Sequence, residues 1–386
     1  MKWAFLLTIA FVGCLFPLNV DAQGCVAIRH FSSANADGLN GVMMSPGDIT
    51  LRSSYRYFKS FRHFRGSEEE PDRVVNNTEV INHTHALDLS LTYAITHQMY
   101  ATFTLPFVVN SRSSLYEHGR DERNTTFSRG LADARVGLGY WLLNPETHSN
   151  VNVALGLGVK VPTGNQNATD IFYNVGVEGH PEVRPVDQSI QPGDGGFGFT
   201  ADFQGFVRLT DNLSAYGSGF YLFSPRETNG VHTFRETLSP ILENESIMSV
   251  TDQYSFRAGG AYALPIEGVS LSLGAQYEGV PVEDLIGGSE GFRRPGSVFA
   301  VEPGISYMAE DVSLNFSVPI AMYRNRPQSI TDMEIQQMTG NPRNGDAAFA
   351  DYLISAGISY RIRGRRPPVV ESYDPDRVIE LDSSEH

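Results

Sequence analysis

Cysteine, basic charge and long apolar runs are all scarce in this chain, and each scarcity narrows what it can be. Two cysteines among 386 residues cannot staple a disulfide scaffold. Lys and Arg number 29 against 44 Asp and Glu, a net charge of −15, which excludes a basic nucleic-acid binder. Past the first residues no apolar run approaches the roughly 20 that a membrane-spanning helix needs. Helical periodicity is nearly absent, and no G-x-S-x-G element, phosphate loop or dinucleotide fingerprint appears. Hydrophobic residues nevertheless make up 41% of the chain, too much for a disordered polymer.

The one early apolar run, WAFLLTIAFVGCLF after Lys2, ends at Pro17 and Val20-Asp21-Ala22. Residues 1–22 therefore read as a secretory signal peptide, because about fourteen apolar residues are too few for a bilayer anchor. Cleavage removes Lys2 with Asp21, leaving the net charge unchanged, and removes Cys14, leaving Cys25 alone. Ala22-Gln23-Gly24 lacks the aliphatic residue expected three positions before an acylated cysteine, which weighs against lipidation of Cys25. Residues 23–46 show no strand period and read as an N-terminal segment that could enter a lumen as a plug.

From Asp48 onward the dominant signal has period two, which sends successive side chains to opposite faces of a strand. Val151, Val153, Leu155, Leu157, Val159 and Val161 alternate with Asn152, Ala154, Gly156, Gly158 and Lys160. Similar splits recur over 87–95, 269–278 and 312–320. About twelve strands result, beginning near Asp48, Glu79, Met99, Leu131, Val151, Phe197, Leu213, Asp252, Val269, Gly296, Val312 and Phe349. A short helix is expected only over Thr331 to Met338. Long connections (His63–Thr78, Arg112–Gly130, Thr163–Gly196, Pro225–Val250, Pro281–Pro295 and Arg324–Ala348) alternate with short ones such as Thr96-His97-Gln98 and Thr210-Asp211-Asn212. Every long loop thus belongs to one end and every tight turn to the other.

An even number of strands, alternating loop lengths and one apolar face describe an all-β transmembrane antiparallel barrel over 47–362. Lipid offers no hydrogen-bond partners, so a sheet crosses it only by closing on itself. A soluble sandwich or periplasmic barrel is the competing reading, disfavoured because sandwich loops show no such alternation. Tyr93, Phe107, Tyr140, Trp141, Tyr254, Tyr262, Tyr277, Tyr307 and Tyr360 fall mostly near strand ends, where an interfacial girdle sits. Alternation turns Asp88, Asp133, Arg135, Lys160, Asp202, Arg208, Arg257, Glu278, Glu302 and Arg361 toward the lumen, either as ion pairs bracing the wall or as a field that orients solutes. A turn centred near Thr147 sets Lys160 across from residue 134, so Asp133 is expected to bridge Arg135 and Lys160.

The hairpin GLADARVGLGYWLLNPETHSN–VNVALGLGVKVPTGN is the most specific segment. Gly130, Asp133, Gly137, Tyr140, Gly156, Gly158, Pro162, Thr163 and Gly164 resemble the outer-membrane family named for the MetA pathway of phenol degradation, with Ala132 where that family usually has glycine. The resemblance implies an outer-membrane channel for small molecules, hydrophobic or aromatic ones among them, in a Gram-negative bacterium; the alternative is a barrel with a blocked lumen in an enzymatic or structural role. The final strand, with Ser355, Gly357, Tyr360 and Ile362, looks like the signal read by the barrel-assembly machinery. The proline-punctuated stretch 363–386 reads as a flexible periplasmic tail. Expected partners are therefore outer-membrane lipid, that machinery and a small-molecule solute, with no nucleic acid.

The longest loop, Thr163 to Gly196, could fold into the mouth or ride on the surface. His83 and His85 share a strand face, and His63 lies across the loop, but no Cys or carboxylate completes a metal spacing, so they read as surface histidines. Glu68-Glu69-Glu70 with Asp72 reads as a solvated acidic run. No catalytic residue, metal or cofactor is expected.

Overall fold

The computed structural model describes residues 44–235 and 238–364. The expected signal peptide, most of the plug segment, both cysteines and nearly all of the tail lie outside them. Twelve antiparallel barrel strands run in chain order: β1 (Ile49–Arg65), β2 (Ile81–Ala94), β3 (Met99–Ser114), β4 in two halves (Asn124–Leu131 and Ala134–Trp141), β5 (Val151–Val161), β6 (Gly198–Arg208), β7 (Leu213–Phe223), β8 (Gln253–Ala263), β9 (Val269–Val280), β10 (Gly296–Ala309), β11 in two halves (Val312–Ser317 and Ile320–Asn325) and β12 (Ala347–Ile362). Each pairs with its neighbours in sequence, and β1 pairs with β12 from Ile49↔Ile362 to Phe64↔Ala347, closing the barrel without an edge.

Alternation decides which face is which. On β5 the aliphatic positions look outward, Leu157 being 71% exposed, whereas Asn152 and Lys160 are buried inside at 0% and 4%. At the short-turn end, Tyr93, Tyr140, Tyr262, Tyr307 and Tyr360 project outward from β2, β4, β8, β10 and β12, all between 43% and 49% exposed. They form the girdle expected of an interface. Trp141 departs from that expectation: it lies one residue out of phase, faces inward and packs on Ala154, Phe206 and Tyr100.

Two short turns use one device. The Thr96 hydroxyl accepts from the backbone N–H of Gln98 (3.2 Å) and Met99 (2.8 Å), and Thr210 does the same for Asn212 and Leu213. Strand β4 begins at Asn124 rather than near Leu131, and the connection before it shrinks accordingly. Its first half pairs with the upper part of β3, from Phe107↔Leu131 to Ser114↔Asn124. The period was hard to see there because Thr125 and Arg129 occupy outward positions. The helix α1 (Ile330–Thr339) begins at a capping box between Ser329 and Asp332.

Candidate functional site

The inner face is charged and mostly paired. Arg135 Nη2 donates to Asp88 Oδ2 at 2.9 Å across the β4–β3–β2 wall. Arg257 Nη1 lies 3.7 Å from Glu302 Oε1, which also accepts from the Ser317 hydroxyl at 2.7 Å. Glu278 accepts from the Gln276 amide two residues along the same strand. Arg208 is exposed at the short-turn end of β6, and Arg361 borders a cavity at that same end.

The geometry around Asp133 corrects the expected register. Arg135, not residue 134, stands opposite Lys160. Asp133 lies in the break between the halves of β4, where its carboxylate accepts from the backbone N–H groups of Gly164 (3.0 Å) and Asp194 (3.1 Å). Lys160 Nζ pairs with Asp194 and is 3.8 Å from Asp133. Asp133 therefore ties both ends of the longest loop to the wall. The turn is centred half a residue beyond Thr147, which shifts the register by one, and the strand break moves Asp133 out of the ladder; of the expected bridge the Lys160 contact is present, while Arg135 pairs with Asp88.

Sequence reasoning missed Arg52 and Arg56 on β1. Arg52 donates to Ser54 (2.9 Å) and Asn315 (3.3 Å), and Arg56 sits within electrostatic reach of Asp88, Glu278, Arg135 and Arg257 at the centre of the lumen. The outward residues of β1 include Ser53, Tyr55, Tyr57 and Lys59, so no apolar-to-polar contrast marked the inner face.

Glycines make room inside. A Cβ at Gly139 would fall 2.1 Å from the Tyr100 ring, and one at Gly156 would fall 2.4 Å from the Asp202 carboxylate. These side chains lie flat across neighbouring strands instead of filling the bore. Two cavities result: one of about 160 Å³ at the short-turn end, bordered by Met44, Trp141 and Arg361, and one of about 120 Å³ at mid-wall, bordered by Asp88, Arg135 and Asp202. They share Ser90, Thr92, Tyr100, Thr102 and Gln204 as common polar lining.

At the long-loop end the longest loop folds inward. Between Thr163 and Gly196, Val186, Asp187 and Ile190 are fully buried. Ile190 C=O accepts from Asn110 Nδ2 (3.1 Å) and the Ser128 hydroxyl, both from inner faces. Asp187 receives both Arg294 Nη groups at 2.7 Å and lies 3.5 Å from Arg112. Burial alone would raise the Asp187 carboxyl, but those two guanidiniums hold it well below the usual carboxylate range. Asp346 behaves likewise, with burial opposed by His63, Arg73 and Arg65. Asp284, buried against Arg293, goes the other way because desolvation dominates.

The three histidines separate. His63 is buried and inward, its Nε2 accepting from Val80 N–H at 2.8 Å, while His83 and His85 lie on the outer wall. His63 is thus no surface residue, and no metal-holding cluster occurs among the described residues. Of the acidic run, Glu69 and Glu70 pair with Arg62 and Arg65.

No protein-family profile matches the chain, and no curated protein matches its sequence. Among solved structures, an outer membrane channel from Pseudomonas putida F1 is similar, with TM-score 0.55 and 12% identity over 83% of this chain and 97% of that one. That likeness shows a shared fold. A toluene transporter from Ralstonia pickettii (TM-score 0.40, 10% identity, 90% of this chain and 100% of that one) is a looser likeness that carries no argument.

Proposed function

We propose that the protein is an outer-membrane channel for passive passage of small molecules, hydrophobic and aromatic ones among them, and that it is not an enzyme. The observation that carries this reading is the inversion of faces in a closed barrel: aliphatic residues outside, and a charged, hydrogen-bonding lining around Tyr100 and Gln204 inside. The reading is supported by the shared fold with an outer membrane channel. Asp88, Arg135 and Asp202 border the route, Lys160, Arg257, Glu278 and Glu302 are buried charges of the same inner face, Arg208 and Arg361 mark its periplasmic end, and Asp133 holds the loop beside it. A signal peptide delivers the chain to the periplasm, the barrel-assembly machinery inserts it, and membership of the phenol-pathway family belongs to the same proposal.

The buried Asp187–Ile190 stretch favours one competing reading, a lumen blocked at its outer end. Proteoliposome swelling separates the two. Solute-dependent swelling with refolded protein supports a channel, and swelling no faster than in protein-free vesicles supports a blocked barrel.

A further inference from the structure

On the outer wall of β2 and β3 an apolar stripe rises from the short-turn end. Outward residues run Tyr93, Leu91, Leu89 and Leu87 up β2, beside Phe103, Leu105 and Phe107 on β3. The next two levels toward the long-loop end mix cations, histidines and tyrosines with the exposed Val109 and Phe127. Lys59 stands opposite His83 and Tyr57 opposite His85, while His85 pairs with Val109 and Val109 with Arg129. Paired residues share a face, and Val109 is 54% exposed, so Arg129 also looks outward.

This cluster is built rather than scattered. Tyr55 Oη meets His85 Nδ1 at 2.7 Å and Tyr57 Oη meets His83 Nδ1 at 3.0 Å, which leaves the Nε2 edge of both rings for other partners. Lys59 Nζ lies 4.5 Å from the centroid of the Phe61 ring. Lys59 and Arg129 are exposed, and neither forms an ion pair among the described residues. Neighbouring carboxylates are engaged: Asp351 with Arg62 at 3.3 Å, and Asp170 with the Phe127 backbone N–H at 2.6 Å. Two such cations on the membrane-facing wall of a chain with net charge −15 run against its composition.

We infer that this patch binds the phosphorylated headgroup of an outer-leaflet glycolipid, with Lys59 and Arg129 taking phosphate and the two histidines hydrogen-bonding beside them. Cations placed just beyond an apolar band meet lipid headgroups, and charge complementarity selects anionic ones. Lys59 and Arg129 are three strand spacings and two residues along the strands apart, roughly 16 Å, a span suited to a headgroup carrying more than one phosphate. The inference rests on the outer-membrane reading.

The test uses the full chain refolded in zwitterionic micelles and titrated with diphosphoryl lipid A, its dephosphorylated form or inorganic phosphate, with binding read by native mass spectrometry. Diphosphoryl lipid A is expected to bind at least tenfold tighter than the dephosphorylated lipid. Lys59→Gln combined with Arg129→Gln should abolish that preference, and Lys59→Arg should keep it. Equal binding of the two lipids, an unchanged preference in the double variant, or competition by equimolar inorganic phosphate would overturn the inference. Conductance recorded on the same preparation keeps the two readings apart: a conducting protein without lipid preference loses only this inference, and a silent protein with the preference loses only the channel.

Discussion

Single side chains here are set by what the neighbouring strand leaves open. Asp133 accepts two loop N–H groups in a buried break of β4, and charge-assisted bonds of this kind are stronger than neutral ones. Asp133→Ala should cost about 1–3 kcal/mol, seen as a lower urea midpoint and faster protease cleavage between Thr163 and Gly196; unchanged cleavage would show that the loop is held elsewhere. Gly156 is needed because Asp202 lies over its Cα. Gly156→Val should push the Asp202 carboxylate into the mid-wall cavity and reduce single-channel current without preventing insertion. The need for small residues on β5 was legible in the alternation of Gly156 and Gly158 with aliphatics, but the side chains they accommodate were not, since Tyr100 and Asp202 come from other strands.

Elements were legible where one face was apolar and obscure where it was not. Strand β5 announced itself; the inner face of β1 and the first half of β4 did not, because Tyr57, Lys59, Thr125 and Arg129 blur the contrast. The Thr163–Gly196 loop carried no period, and its docking depends on Arg112 and Arg294, residues more than a hundred positions apart in sequence. That docking has a pH signature. The Asp187 carboxyl is held below its ordinary value of 3.8, so its stabilisation is complete above that pH and fades as pH falls through the lowered folded value. Channel current should therefore be steady from pH 7 to pH 5 and become noisy or larger only at about pH 3 and below; a change already between pH 7 and 5 would assign the gate to another group. Asp187→Ala strips a buried carboxylate from two guanidiniums, a loss of about 3 kcal/mol or more for such pairs, and should reproduce the acid behaviour at pH 7.

For the whole molecule, strand number and loop alternation were readable from the chain because a barrel imposes both at once: an even strand count returns the end to the start, and β1 closes on β12. What fills the lumen was not readable, since loop docking and flattened side chains are long-range effects. With long loops outward, the orientation proposed for the barrel, Asn167 lies outside the cell and Asn212 in the periplasm. Both positions are exposed. Introduced as single cysteines, Asn167→Cys should react with an impermeant maleimide in intact cells and Asn212→Cys should not, the reverse pattern inverting the topology. The central claim is that the path past Tyr100 and Gln204 continues to the outside as a passive pore. Planar-bilayer recording of the refolded protein tests it most directly. The account predicts discrete, ohmic current steps that grow when residues 168–191 are replaced by a short glycine linker; an electrically silent membrane with both forms would contradict it.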